Sequence, residues 1–195
     1  MQTATRQEQK AATRERLVES AMALFSSKGI LETKTADIAR TIGMSHGVVF
    51  LHFPKRDNLV IAVIDEFARR LNVELREGLE RDQGLRDVLQ AHLRALRAFE
   101  PFYARLVTEA PLLPPKVRST LLMLQAYVSQ QIFLAAQREQ AAGTMRPFDR
   151  RLLFNTWIGL IHHYLVNRDV FATGESVLAE HGDSLVNHFM TLVRA

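Results

Sequence analysis

The chain has 195 residues, 47% of them hydrophobic and 24% charged, which is enough apolar material for a packed core in one domain or in a small head with a larger body. It contains no cysteine, which excludes disulfides, thiolate metal sites and thiol redox sensing. The formal charge of +4 is modest, but residues 1–60 hold nine Lys/Arg against six Asp/Glu, so most of the basic excess lies in the N-terminal third.

Apolar residues recur at helical spacing almost throughout and nowhere alternate for long, so the expected fold class is all-α. Residues 1 to about 11 are polar, with Arg6 and Lys10 as isolated charges, and read as a disordered, solvated tail in preference to a DNA-contacting arm. They lack the apolar run of a signal peptide. A first helix is predicted from about Ala11 to Ser27, with Leu17, Ala21, Leu24 and Phe25 on one face and Gly29 as its stop. Two short helices follow, about Thr35 to Ile42 and Ser45 to Phe53, joined through Gly43-Met44-Ser45. Pro54 closes that unit, and a long helix is expected from about Arg56 to Leu79, carrying Val60, Ile64, Phe67, Leu71 and Leu75 at steps of three or four. The head (1–57) passes into the body (58–195) within this helix, without a flexible linker.

Further helices are expected at about Leu85 to Phe99, Phe102 to Ala110, Pro115 to Ala142, Phe148 to Phe171 and Glu175 to Arg194, about nine in all. The most apolar stretch, Trp157 to Val166, is interrupted by His162 and His163 and is too short to span a bilayer, so the chain reads as cytoplasmic with no membrane partner.

The two short helices carry the chemistry. Thr35 is placed to cap the first of them and Ser45 the second, while Asp37 suits the positive end of a helix dipole. Ile38, Ala39 and Ile42 point inward, as do Val49 and Phe53, four residues apart. His46, Gly47, Val48, Phe50, Leu51 and His52 are then left outside, on a face with no acidic residue. Such a face fits the major groove of B-DNA, and an ordinary bundle helix would not leave Phe50 and Leu51 out. Residues 33–59 are therefore read as a helix-turn-helix.

Taken together, Thr35-Ala36-Asp37-Ile38-Ala39, Ile42-Gly43-Met44-Ser45-His46-Gly47, Phe50-Leu51-His52-Phe53-Pro54 and Leu59 resemble the DNA-binding domain of the TetR family, from about Arg14 to Leu59. The resemblance implies phosphate contacts around Thr35, base and backbone contacts from Ser45, His46, Gly47, Val48, Phe50 and His52, and a further phosphate contact where the fourth helix starts. The chain departs from the family pattern in three places. Val48 and Phe50 stand where a hydroxyl is usual, so those contacts become apolar. Lys55 and Arg56 replace the usual serine and lysine, adding a cation, and the pair is expected to compensate the lost hydroxyls.

The resemblance also implies a small-molecule pocket in the body and dimerisation through the last two helices. For the pocket, the aromatic and soft side chains Phe99, Phe102, Tyr103, Met123, Tyr127 and Trp157 form candidate walls, with Asn155, Tyr127 and His162 as polar tips. A largely apolar effector is expected. In the last two helices the apolar residues run round more than one face, which calls for a second copy as partner. His162 and His163 are adjacent, so they point about 100° apart and cannot chelate one ion; no metal or cofactor is expected. Nucleophile-elbow, phosphate-loop and metal-ligand motifs are missing, so no enzymatic function is expected; the resemblance implies instead a homodimeric repressor released from an operator by a small molecule. The alternative is a ligand-independent helical DNA-binding or architectural protein.

Overall fold

The chain begins its first helix five residues before the apolar pattern does. In the computed structural model, described over residues 5–77, 84–174 and 176–195, α1 runs Arg6–Lys28. Thr5 and Glu8 make a reciprocal capping box, with the Glu8 amide donating to Thr5 Oγ1 at 3.3 Å and the Thr5 amide to Glu8 Oε2 at 2.6 Å. Residues 6–11 are therefore helical, which corrects the disordered tail; residues 1–4 of that tail lie outside the described residues. Gly29 ends the helix at φ +99°, a conformation that disfavours any residue with a Cβ.

The remaining elements are α2 (Thr35–Thr41), α3 (His46–His52), α4 (Arg56–Glu77), α5 (Leu85–Arg97), α6 (Glu100–Glu109), a 3₁₀ turn (Ala110–Leu112), α7 (Pro115–Ala141), α8 (Arg150–Val166), α9 (Arg168–Phe171) and α10 (Val177–Val193). The described residues thus hold ten α-helices and no named strand; a single antiparallel bridge, Met145 to Arg194, pins the C-terminus. The expected ends of the fourth helix at Leu79 and of the last helix at Glu175 fall outside the described residues. The predicted helix from Phe148 to Phe171 is divided. Asn167 donates from its side chain to the His163 carbonyl at 2.8 Å, competing with the helical ladder, and α9 is a separate turn beyond it.

One contiguous apolar core runs through head and body. Leu17, Phe25, Ile38, Val49, Phe53 and Leu59 fill the head, and α4 carries the core onward through Ile64, Phe67 and Leu71 to Leu89, Phe102, Trp157 and Phe189. Phe67 stacks edge-on to Phe99 and Phe102 at 5.5 and 5.3 Å. Among the described residues no helix is long and apolar enough to cross a membrane.

The two-faced apolar character expected of the last helices is largely consumed inside the chain. Leu185, Val186 and Phe189 of α10 are buried, and α10 packs on α5 and α8. On α8, Leu153, Phe154, Trp157, Ile158, Ile161 and Leu165 are buried, leaving Leu152 and Val166 exposed on one side with Gly159 between them. The exposed apolar surface of these helices is thus limited to Leu192 on α10 and a narrow strip on α8.

Candidate nucleic-acid interface

The head is a three-helix unit in which α2 packs on α1 and α3 packs on α2. Gly43, at φ +68°, takes the turn between them, and the Met44 amide closes back on the Ala39 carbonyl at 2.9 Å. Lys34, one residue before the expected position, is the N-cap of α2; its amide donates to Asp37 Oδ2 at 3.3 Å. Thr35 is consequently free for another task. Its hydroxyl pairs with His46 Nε2 at 2.8 Å, tying the start of α2 to the start of α3. Ser45 holds the N-cap position of α3 as expected but makes no side-chain capping bond, so its hydroxyl faces outward unspent.

Val49 is fully buried and Phe53 nearly so, and the face opposite is open. Phe50 is 44% and Leu51 73% exposed, which no packing within the chain accounts for. His46 stacks edge-on against Phe50 at 4.9 Å, so the Thr35–His46–Phe50 set forms one ordered surface. Gly47 is exposed, and a Cβ there would meet only Ser45 Oγ at 4.0 Å, so the fold itself does not call for glycine. Val48 and His52 are half-buried. His52 Nδ1 is shut away without a hydrogen bond; burial, then the charges of Lys10 and Arg14, hold the imidazole below its ordinary pKa.

The two cations at the start of α4 have different settings. Lys55 is exposed. Arg56 is half-buried, and its guanidinium donates to the Ile30 carbonyl and, at 3.4 Å, to the Thr33 carbonyl. It holds the turn between α1 and α2. The same turn is gripped from the body: Glu109, at the end of α6, accepts from the Leu31 amide at 2.6 Å. A Cβ on Gly29 would sit 2.5 Å from Glu109 Oε1, so the glycine makes room for this approach. At its other end α6 carries buried Glu100, which accepts from the Ser176 hydroxyl at 2.6 Å and from the Val177 and Leu178 amides at 2.8 and 3.3 Å. α6 thus grips backbone amides of the head at one end and of α10 at the other.

In the body, the expected pocket residues separate into three groups. Phe102, Tyr103 and Trp157 are buried, and Phe99, Tyr127 and His162 are partly buried. Tyr103 Oη pairs with His162 Nε2 at 2.9 Å and accepts from Gln125 Nε2 at 3.4 Å; Trp157 donates to His92 Nδ1 at 3.1 Å. Burial drives His92 to a pKa of about 3 and His162 to about 4, and raises Tyr103. Met123, 67% exposed, and exposed Asn155 lie on outer faces and do not wall an interior site, which corrects their assignment. Their helices are apolar on nearly all sides, so spacing alone does not select the inward face. His92 and Gln125 were not anticipated as members of this cluster. An open groove of about 1190 Å³ lies elsewhere, between α1 and α4, with Arg14, Arg16, Glu19, Asp65 and Arg70 on its walls.

A three-helix head with an open third helix, fused through α4 to a helical body, defines a helix-turn-helix protein. Residues 17–63 match the family model described as bacterial regulatory proteins, tetR family. The chain is also similar to an HTH-type transcriptional repressor of Mycobacterium tuberculosis, 38% identical over 55 residues, which is 28% of this chain and 29% of the relative. It is similar to the HTH-type transcriptional regulator TtgR of Pseudomonas putida, 36% identical over 53 residues, or 27% and 25% of the two chains. The match thus spans less than a third of the length of these relatives. The whole fold resembles a TetR-family regulator from Agrobacterium tumefaciens, with a TM-score of 0.77 at 17% identity, covering 95% of this chain and 100% of that one. It also resembles a transcriptional regulator from Saccharomonospora viridis solved in complex with choline, at TM-score 0.76 and 20% identity over 95% and 99% of the chains. Residues 17–63 thus carry the DNA-binding head of that family, and the chain as a whole shares the fold of these solved regulators.

Proposed function

We propose that this protein is a cytoplasmic transcriptional repressor, with residues 1–57 as the reading head and 58–195 as the effector and dimerisation body. As a homodimer it sets two α3 helices in successive major grooves, roughly 34–36 Å apart, on a near-palindromic operator. The observation that carries the reading is the ordered, acid-free outer face of α3, where Phe50 and Leu51 are exposed beside a His46 fixed by Thr35. His46 and the Ser45 hydroxyl are the polar readers, Gly47 admits the phosphate backbone, and Val48 and Phe50 give apolar contact to thymine methyl groups. Half-buried His52 borders this surface, and Lys55 supplies a phosphate contact beside it, with Arg56 holding the turn that presents Thr35.

Dimerisation is proposed through α8 and α10, along the α8 strip of Leu152, Gly159 and Val166. The effector is a small, largely apolar molecule that enters among Phe99, Phe102, Tyr103, Tyr127, Trp157 and His162. Because Tyr103, His162 and Gln125 already satisfy one another, and Trp157 satisfies His92, such a ligand has to displace these internal contacts. The bond between Glu109 and Leu31 then offers a direct route from α6 to the head. Release requires that the ligand bind the DNA-incompetent arrangement more tightly than the DNA-bound one. The closed polar cluster also favours a second reading, a ligand-independent DNA-binding protein. In vitro selection from a random 30-base-pair pool is the first test: enrichment of a near-palindrome supports the repressor reading, and absence of any enriched sequence sinks it. A small-molecule screen by thermal shift, followed by operator binding in the presence of each hit, separates the two readings. A hit that stabilises the protein without weakening operator binding rejects effector release.

A further inference from the structure

We infer that the start of α1 is a second DNA-contacting element, in which Arg6 and Lys10, aligned with Arg14, form a cationic rail along the phosphates beside α3. This rests on the DNA-binding reading above and extends it to a segment outside the helix-turn-helix. Arg6, Lys10 and Arg14 are four residues apart, so they lie along one side of a helix. Lys10 and buried Leu17, seven apart, share that side, which is the one turned toward the head core. The side is apolar where the core lies beneath it and cationic where α1 runs past the core.

One ring contact and the influence of two charges locate the rail. The Arg14 guanidinium sits over the Phe53 ring at 5.0 Å, and Phe53 is the residue that closes α3. The charges of Lys10 and Arg14 are both felt at His52, the last residue of α3. Arg6, Lys10 and Arg14 are all exposed. The acidic residues of this stretch, Glu8 and Glu15, project from the far side of the helix, and Glu8 is engaged in the cap. Arg14 lies close enough to Asp65 to act on its carboxyl, whereas Arg6 and Lys10 make no ion pair among the described residues.

There is also a need for this charge. α3 has no Lys or Arg from His46 to His52, and Val48 and Phe50 offer no hydroxyl. Phosphate neutralisation beside α3 has to come from its neighbours. The exposed rail near the α3 C-terminus supplies it, in addition to exposed Lys55.

The test compares the wild type with Arg6→Gln/Lys10→Gln, with Lys55→Gln and with a body control, Lys116→Gln/Arg118→Gln. Each is titrated by fluorescence anisotropy, from 50 to 300 mM KCl, against a duplex enriched by the wild type from a random pool and against an unselected 30-base-pair duplex. The Arg6/Lys10 variant is expected to lower the magnitude of the slope of log Kobs against log salt by about 1.8 per bound protomer. Relative to 1 M salt, that corresponds to a loss of roughly 60-fold at 0.1 M. The loss should appear on both duplexes, since phosphates carry no sequence, and Arg6→Lys/Lys10→Arg should restore it. The body control should be unchanged. Far-UV circular dichroism checks that each variant keeps its helix. If Lys55→Gln lowers the slope and Arg6→Gln/Lys10→Gln does not, the rail is refuted and the reading helix stands. An equal loss in the body control refutes the rail as mere net charge, and a wild type that enriches no duplex removes both readings.

Discussion

Replacing Glu100 with alanine removes the acceptor from three donors at once. Glu100 is 3% exposed, and its carboxylate receives the Ser176 hydroxyl and the first two amides of α10. The hydroxyl can rotate, since Ser176 also accepts from the Ala179 amide at 3.0 Å and needs only a new partner for its proton. The amides of Val177 and Leu178 cannot turn away. A buried orphaned donor costs about 1–3 kcal/mol, so two of them set the loss at about 3 kcal/mol, with water entry at the helix end keeping it below the upper limit. At about 2–4 °C per kcal/mol for a chain of this size, Glu100→Ala should melt about 6–12 °C below the wild type. Glu100→Gln keeps one oxygen but turns an NH2 group toward a donor, and should fall between the two. The assay is thermal unfolding by circular dichroism at pH 7.5 and one fixed protein concentration, because the proposed dimerisation would make the midpoint concentration-dependent. A Glu100→Ala midpoint within 2 °C of the wild type, or a glutamine variant worse than alanine, refutes the argument from orphaned amides.

At the other end of α6, Gly29→Ala places a Cβ against Glu109 at a positive φ and should cost about 1–2 kcal/mol, visible as a lower urea midpoint at unchanged m. Lys55→Gln should flatten the salt dependence of operator binding by about 0.9 log units per log unit of salt, whereas Arg56→Gln should mainly lower the melting temperature, since its guanidinium serves Ile30 and Thr33. Equal slopes for the two variants would contradict this division. His92 and His162 stay neutral when folded, at pKa values of about 3 and about 4, against about 6.5 when unfolded. The unfolded chain therefore binds more protons below pH 6.5, and stability that is complete above that pH is lost on acidification, by about 1.4 kcal/mol per pH unit per histidine. The midpoint should drop between pH 7.5 and 5.0, above the carboxylate range; a flat profile would show that these histidines are not buried neutral.

The helix-turn-helix was readable because its constraints are local. Gly43 marks the turn, and Val49 and Phe53, four apart, fix which side of α3 is inward and so which is left for DNA. The first two turns of α1 were missed because their signal is polar, the Thr5 and Glu8 capping pair, just where apolar periodicity gives out. Thr35 was read as a cap because a hydroxyl there usually is one; its actual partner, His46, lies on another helix. In α7, Leu121 and Leu124 are buried while Leu122 and Met123 between them are out, and a helix apolar all round gives no periodicity to decide that. His92, on the inward side of α5 with Leu89 and Leu96, was hidden by its polar type. Glu100 and Glu109 were silent because their partners are backbone amides more than seventy positions away, which no spacing rule reaches.

The bond from Glu109 to the Leu31 amide bears on how far such proteins are modular. A chimera cut near residue 57, where the covalent chain passes from head to body, would carry Gly29 and Leu31 into a foreign body and leave Glu109 behind. The donor amide would then face whatever side chain the new body offers at the end of its own sixth helix. A transplanted head should keep its recognition of DNA yet lose its coupling to the body, and with it any response to the proposed effector, unless an acidic residue is placed at that position. The seam for domain exchange is thus not a point on the chain but a surface, and α6 belongs to both sides of it.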